Sequence, residues 1–233
     1  MEGLKTKYKI HYVPLFSGKV RKTEHLYMYR NFEEVVTTTG YVWYIEGASE
    51  NILVDPGGDP KLLAKLGYTA EKVQSIEEGL GKLGLAPQDI DIVIQTHLHF
   101  GHADLAYKYT NARFFVQKEE LEFAKKPHPA VHAWYNLKAI EKQEIELIDG
   151  DKEIFPGIKL LKTPGHSPGS QSVLIDTARG KEVIEGLCCI EENFEPRIIP
   201  PAYHTDLLEA YDSLARLKKI ADHVIPMHET VFF

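Results

Sequence analysis

The sequence predicts an α/β fold, and three observations carry that expectation. Apolar runs of strand length recur at 42–45, 51–54, 90–94, 113–116, 145–148, 158–161 and 171–175, most of them bounded by turn residues. Helical patterns interleave with them. The clearest covers 206–221, where Leu207, Tyr211, Leu214 and Leu217 form an apolar stripe behind Thr205 as N-cap. No repeat, low-complexity tract or linker divides the 233 residues, so one domain over 1–233 is expected.

Composition narrows the function classes. The formal charge of -7 and the lack of a basic block argue against a nucleic-acid partner. The start, MEGLKTKYKIHYV, carries lysines but no apolar leader. No apolar run approaches the roughly 18 residues of a membrane span, so no membrane partner is expected. The two cysteines, Cys188 and Cys189, are adjacent, a spacing that rarely bridges. A reducing, cytoplasmic setting is therefore expected.

In chain order, Tyr8, Ile10, Tyr12 and Val13 alternate as in a strand, and the aromatic, charged stretch 20–36 fits no element. Residues 42–45 and 51–54 predict a hairpin around Glu46-Gly47-Ala48-Ser49. The second strand ends at Asp55-Pro56-Gly57-Gly58. There Asp55 either caps the turn through its own backbone or supports a nearby site. Ser75 and Glu78 form a capping box for a helix with Ile76, Leu80 and Leu83 on one face, weakened by Gly79 and Gly81 at about 1 kcal/mol each. A short helix is expected at 103–108 and another at 118–125, closed by Pro127 and Pro129. His128 and His132 stand four apart, either as a surface pair or as part of a substrate-facing lid. Strands are expected at 183–189 and, finally, at 224–229.

The chemistry concentrates at 90–104, IDIVIQTHLHFGHAD. A strand-length run delivers His97, His99 and His102 in the pattern H-x-H-x-x-H. Alternate residues at a strand end point the same way, so His97 and His99 can reach one metal ion, and His102 a neighbouring point. A second signal is Thr163-Pro164-Gly165-His166-Ser167-Pro168-Gly169-Ser170, in which two Pro-Gly pairs restrict a loop carrying one histidine ahead of a strand. The last predicted strand ends in Met227-His228-Glu229.

H-x-H-x-x-H after an apolar strand, TPGHSPGS some seventy residues later and a terminal PMHE together resemble the metallo-β-lactamase superfamily. GYVWYIEG, THLHFGHAD and EENF resemble its N-acyl homoserine lactonase branch most closely. The resemblance implies a four-layer αβ/βα sandwich with metals at the common edge of two mixed sheets. It assigns His97, His99 and His166 to a first metal, zinc with iron or manganese as alternatives, and His102 and His228 to a second. It also implies a small-molecule substrate and allows a homodimer, for which the aromatic stretch 25–36 is a candidate surface.

Two of the family's carboxylates are missing. Gly101 stands where the family motif has aspartate, and Gly186-Leu187 where it has a bridging acid; three residues beyond Gly186, Cys189 replaces a tyrosine. Three neutral imidazoles with an open position suit catalytic zinc, whereas the second site, stripped of both acids, is expected to be weak or empty. Asp104, Glu185 and Cys188 are nearby candidates to substitute, and a cysteine thiolate is a good zinc ligand. The leading expectation is a metal-dependent hydrolase of a small cyclic ester. A non-hydrolytic enzyme using one three-histidine metal, or a catalytically silent homologue that binds a small molecule, are the alternatives.

Overall fold

A computed structural model describes residues 7–230; residues 1–6 and 231–233 lie outside the described part. In chain order the elements are β1 (Lys9–Arg21), β2 (Val35–Glu46), β3 (Ile52–Val54), α1 (Pro60–Lys65), β4 (Glu71–Lys72), α2 (Ile76–Gly81), β5 (Ile92–Ile94) and α3 (Phe100–Ala103). There follow β6 (Arg113–Gln117), α4 (Lys118–Lys125), β7 (Glu144–Ile148), β8 (Lys152–Phe155), β9 (Ile158–Lys162), β10 (Gln171–Thr177), β11 (Gly180–Ile184), α5 (Leu207–Ile220) and β12 (His223–Ile225). They build a seven-stranded sheet, β4-β1-β2-β3-β5-β6-β7, and a five-stranded sheet, β12-β11-β10-β9-β8.

The central strands are short continuous apolar runs because both of their faces are buried. Ile52, Val54, Ile92, Ile94 and Phe115 point into a core shared with Ile158, Leu160, Val173, Ile175 and Ile184 of the other sheet. Their alternates Leu53, Val93 and Phe114 face a second core with Ile76 and Leu80 of α2 and Leu121 of α4. On the far side Leu161 and Val183 pack against Ala210, Leu214 and Leu217 of α5. Three apolar seams between four layers make the αβ/βα sandwich that the sequence led us to expect. Among the described residues, no helix is long and apolar enough to cross a membrane.

The predicted hairpin is present, with Trp43 opposite Val54 and Ile45 opposite Ile52. The Ser75–Glu78 capping box forms in both directions, and the helix expected at 118–125 matches α4. Stretch 20–36 divides between elements. Its ends extend the long β1–β2 ladder, where Arg21 pairs with Val35, and its middle is the connecting loop.

Other expectations are corrected. The helix placed at 103–108 is displaced by one turn into α3, because His99 serves as its N-cap residue, with a short 3-10 turn following at Ala106–Lys108. The strand placed at 183–189 stops at Ile184, and the last strand is only His223–Ile225. Beyond Ile184 and Ile225 the amides of Leu187, Cys189 and Met227 turn to a carboxylate, that of Glu185, instead of a neighbouring strand. Asp206, not Thr205, caps α5, accepting from the amides of Leu208 and Glu209; Thr205 Oγ1 donates to Gly165 O instead. The stripe of α5 is rotated accordingly: Ala210, Ser213, Leu214 and Leu217 are buried, Leu207 is half-buried and Tyr211 exposed. Strand β8 was not foreseen, since its only apolar residues, Ile154 and Phe155, are half-buried at a sheet edge.

Candidate metal centre

The parallel strands β3, β5 and β6 end at one edge of the sandwich, and the histidine loops gather there. Residues 95–99 leave β5 and run directly over the second sheet. Gln171 stitches the two sheets together at this point, its Nε2 donating to Gln95 O at 2.8 Å and Phe115 O at 3.0 Å. His97, His99, His102, His166 and His228 form one contiguous group: ring centroids lie 4.3 Å apart for His97–His102, 4.7 Å for His97–His99, 4.8 Å for His97–His166 and 5.2 Å for His102–His228. The predicted convergence of the five histidines is therefore what the fold produces.

Hydrogen bonds to the outer nitrogens decide which nitrogens face inward. His166 Nδ1 donates to Tyr203 O at 2.7 Å and His228 Nδ1 to Thr39 O at 3.3 Å, and a carbonyl can only accept. His102 Nδ1 donates to Asp55 Oδ2 at 3.1 Å. Thr96 Oγ1 gives its own proton to Asp55, so it accepts from His97 Nδ1 at 3.0 Å. Each of these rings, when neutral, keeps its Nε2 as a bare lone pair, the arrangement in which outer partners orient metal-binding imidazoles. Burial first, and then the charge neighbouring histidines would carry, holds His97, His99 and His228 well below the ordinary histidine value; burial likewise takes His166 down to about 4. The neutral form is the ligand form.

A metal fits this donor set. His99 Nδ1 and His166 Nε2 face each other 3.0 Å apart, and His166 Nε2 is bare. Two nitrogens bound to one tetrahedral zinc at ~2.0–2.1 Å stand roughly 3.3 Å apart, close to what is found. His99 Nε2 is buried without a partner, so no competing protein hydrogen bond fixes that ring. The donor atoms of His97, His99 and His166 all lie within 4.8 Å of one another, as do those of His97, His102 and Cys188.

Three buried carboxylates hold the loops. Asp55, at φ 57°, accepts from Thr96 N at 2.7 Å as well as from Thr96 Oγ1 and His102. Its carboxylate bonds run to Thr96 and His102. Glu120 of α4 accepts from Leu98 N at 2.9 Å, between His97 and His99, and from Ser167 Oγ at 2.6 Å and Gly169 N at 3.2 Å, beside His166. Glu185 accepts from Leu187 N at 2.5 Å, Cys189 N at 2.9 Å and Met227 N at 2.8 Å, tying the loop after β11 to the one carrying His228. With its oxygens committed there, Glu185 does not substitute as a metal ligand. Burial raises both glutamates above the usual carboxylate range. Sequence reading missed Glu120, whose signal was an acid adjoining Leu121 and Ala124 on the buried face of a helix.

Other candidates are sorted by the loop after β11. A side chain at Gly186 would run into Gln171 O, and Leu187 is buried against α5, so neither faces the histidines. Cys188 does, with Sγ 3.4 Å from both His97 Nε2 and His102 Nε2. Cys189 Sγ turns away toward Leu187 O at 3.7 Å. Asp104 Oδ1 accepts from Asn136, and among the described residues Asp104 joins neither of the two ligand groups. His128 and His132 are not in the site: His132 Nδ1 donates to Pro129 O on the surface, while the neighbouring Trp134 and Tyr135 pack on His99 at centroid distances of 5.1 and 4.8 Å. The histidines floor an open cavity walled by Phe16, Val20, Leu63, Tyr68, Phe100 and Trp134. His25, from the stretch proposed as a dimer surface, also lines it and donates from Nδ1 to Cys188 O at 3.1 Å.

Fold and histidine cluster together point to one superfamily. The chain belongs to the metallo-beta-lactamase superfamily, whose profile matches residues 36–226. It is 34% identical over 158 residues to an N-acyl homoserine lactonase of a Bacillus species, a match covering 66% of this chain and 59% of that protein. The chain thus spans under two thirds of that relative's length. In three dimensions it resembles a quorum-quenching N-acyl homoserine lactone lactonase with a TM-score of 0.82 at 26% identity, covering 97% of this chain and 93% of the other. An N-acyl homoserine lactone hydrolase with N-hexanoyl-L-homoserine bound at its catalytic metal centre gives 0.80 at 25% identity, over 97% and 94% of the two chains.

Proposed function

We propose that this chain is a metal-dependent hydrolase of a small cyclic ester of the N-acyl homoserine lactone type. The observation that carries the reading is the convergence of His97, His99 and His166 donors, held neutral and inward, on the floor of an apolar-walled cavity. A divalent cation held there supplies Lewis acidity and makes a nucleophile available from water at neutral pH. Zinc is the metal we assign, since a set of neutral imidazoles with an open position suits it.

The chain's own residues do the positioning. Glu120 sets His99 and His166 relative to each other by binding both loops, and Asp55 sets His97 and His102 through Thr96 and directly. Trp134 and Tyr135 cover one side of His99 and keep water from it, while Phe16, Leu63 and Phe100 offer an apolar wall suited to an acyl chain. The substrate's polar ring would lie toward the histidines. Tyr27, Met28 and Phe32 of the β1–β2 connection, with Val35 at the start of β2, expose apolar surface beside the cavity, and we propose that this segment pairs two copies of the chain; light scattering at roughly tens of micromolar reads a dimer if so and a monomer if not.

The test is hydrolysis of N-hexanoyl-homoserine lactone, followed as acid release by the zinc-loaded protein. Activity that is lost on chelation, restored by zinc and absent in His99→Ala supports the proposal. A fully zinc-loaded protein that opens neither acyl lactones nor simple esters above background sinks it.

A further inference from the structure

We propose that Cys188 is an anionic ligand of a second metal ion, held with His102 and beside the first metal's ligand His97, so that a thiolate restores one of the two negative charges the chain lacks at this place. The proposal rests on the metal-dependent reading above and extends it to a site with a chemistry of its own. Its first support is position. Cys188 Sγ lies 3.4 Å from His97 Nε2 and 3.4 Å from His102 Nε2, and the partners of the outer nitrogens leave both Nε2 atoms as lone pairs. One thiol proton can satisfy only one of two acceptors. With the first metal on His97 Nε2, a second cation between Cys188 Sγ and His102 Nε2 satisfies the remaining two atoms. His228, its ring centroid 5.2 Å from that of His102 and its Nδ1 already bonded to Thr39 O, stands beside this group with Nε2 to offer.

The second support is the backbone. Cys188 sits at φ 60°, a conformation that residues bearing a Cβ adopt rarely and at a cost, and one that clusters where a side chain must be aimed. The neighbouring structure holds it there from three directions. Glu185 accepts from the amides on both sides, Leu187 N and Cys189 N, and the same carboxylate anchors Met227 N next to His228. His25 Nδ1 donates to the carbonyl of Cys188 itself. With the backbone held this way, Sγ turns to His97 and His102.

Binding forms a sulfur–metal bond and breaks the S–H bond, the proton passing to solvent; no electron moves. Thiolate with imidazole selects borderline and soft ions such as zinc and cobalt(II) over magnesium, calcium and manganese, which prefer oxygen. The expectation of a weak or empty second site, drawn from the missing acids alone, changes accordingly.

Substitution of the whole protein with cobalt(II) tests this directly. The expected result is about two metal ions retained per chain, with a thiolate-to-cobalt charge-transfer band in the near ultraviolet. Cys188→Ser should lose the band and the second equivalent while keeping the first. Cys188→Asp should keep the second equivalent without the band, and Cys189→Ser should keep both. If Cys188→Ser does not fold, the wild-type spectrum and the protection of one thiol from alkylation by added zinc decide instead. Retained cobalt without the band, or a Cys188→Ser protein holding metal as the wild type does, overturns this proposal and leaves the hydrolase reading standing. A chain that holds no metal at all overturns both.

Discussion

At the scale of single residues, the centre depends on two positions that carry opposite lessons. Gly101 lines the cavity, and a Cβ added there meets nothing within 4 Å. The position is empty space beside His102, not a glycine required by the backbone. Gly101→Asp should therefore fold normally and add an oxygen ligand, raising affinity for the second metal by about tenfold or more, which is at least 1.4 kcal/mol. Competition against a chromophoric chelator reads this, and unchanged affinity would show that the new carboxylate points elsewhere. Asp55 is the reverse case, buried and irreplaceable in its bonds. Asp55→Ala strands the Thr96 amide and hydroxyl and the His102 Nδ1–H without an acceptor. Loss of such a buried, hydrogen-bonded charge costs about 3–5 kcal/mol. Denaturant unfolding of the metal-free protein should show a loss of that order, and a change below 1 kcal/mol would mean that water replaces the carboxylate.

At the scale of elements, the site is an agreement between loops and the helices behind them. The loop 163–170 meets the start of α5 through Gly165 O, which accepts from Thr205 N at 2.7 Å and Asp206 N at 3.0 Å. Gly165 has φ 123°, and a Cβ there would fall 2.2 Å from Ala210 N in α5. Gly165→Ala should lower stability by about 2–4 kcal/mol, from backbone strain and overpacking together, and should displace His166. Urea unfolding and metal content check the two effects separately. Helix α4 acts on the same loop from the other side through Glu120. Glu120→Ala should weaken metal binding at His97, His99 and His166 by roughly 10–100-fold, the usual effect of removing an outer partner. Isothermal titration with zinc measures it, and an unaltered affinity would assign Glu120 to folding alone.

For the molecule as a whole, gathering neutral histidines into one buried cluster makes folding and acidity interdependent. The folded value of His166 is depressed to about 4 from 6.5, chiefly by burial. The unfolded chain therefore takes up a proton between those values that the folded chain refuses, and stability falls as pH drops through that window. The contribution of His166 is on the order of 3 kcal/mol, lost between about pH 6.5 and 4. His97, His99 and His228 act in the same direction. Glu120 and Glu185, raised by burial, act in the opposite one above the ordinary carboxylate value. Subtracting the profile of a metal-free His166→Gln protein from that of the metal-free wild type isolates the histidine. The difference should shrink on acidification, and a difference independent of pH would contradict a buried neutral imidazole.

What the sequence determined by itself was the part carried by neighbouring residues. The spacing of His97 and His99 after an apolar strand, the restricted loop around His166, the capping box at Ser75 and the extent of α4 all rest on contacts within a few positions, and all are found. Apolar runs likewise signalled the strands; the structure shows that they are continuous because each side of the pleat meets its own core. Tertiary structure decided the rest, where the partner lies far along the chain. Glu120 reaches Gly169 across 49 positions and Glu185 reaches Met227 across 42, so their local surroundings do not name the loops they clamp. The direction of Cys188 is the sharpest instance. Counting along the chain pointed to Gly186-Leu187, but the residue facing the histidines is set by a left-handed backbone turn, and that turn is held in place by bonds from Glu185 and His25.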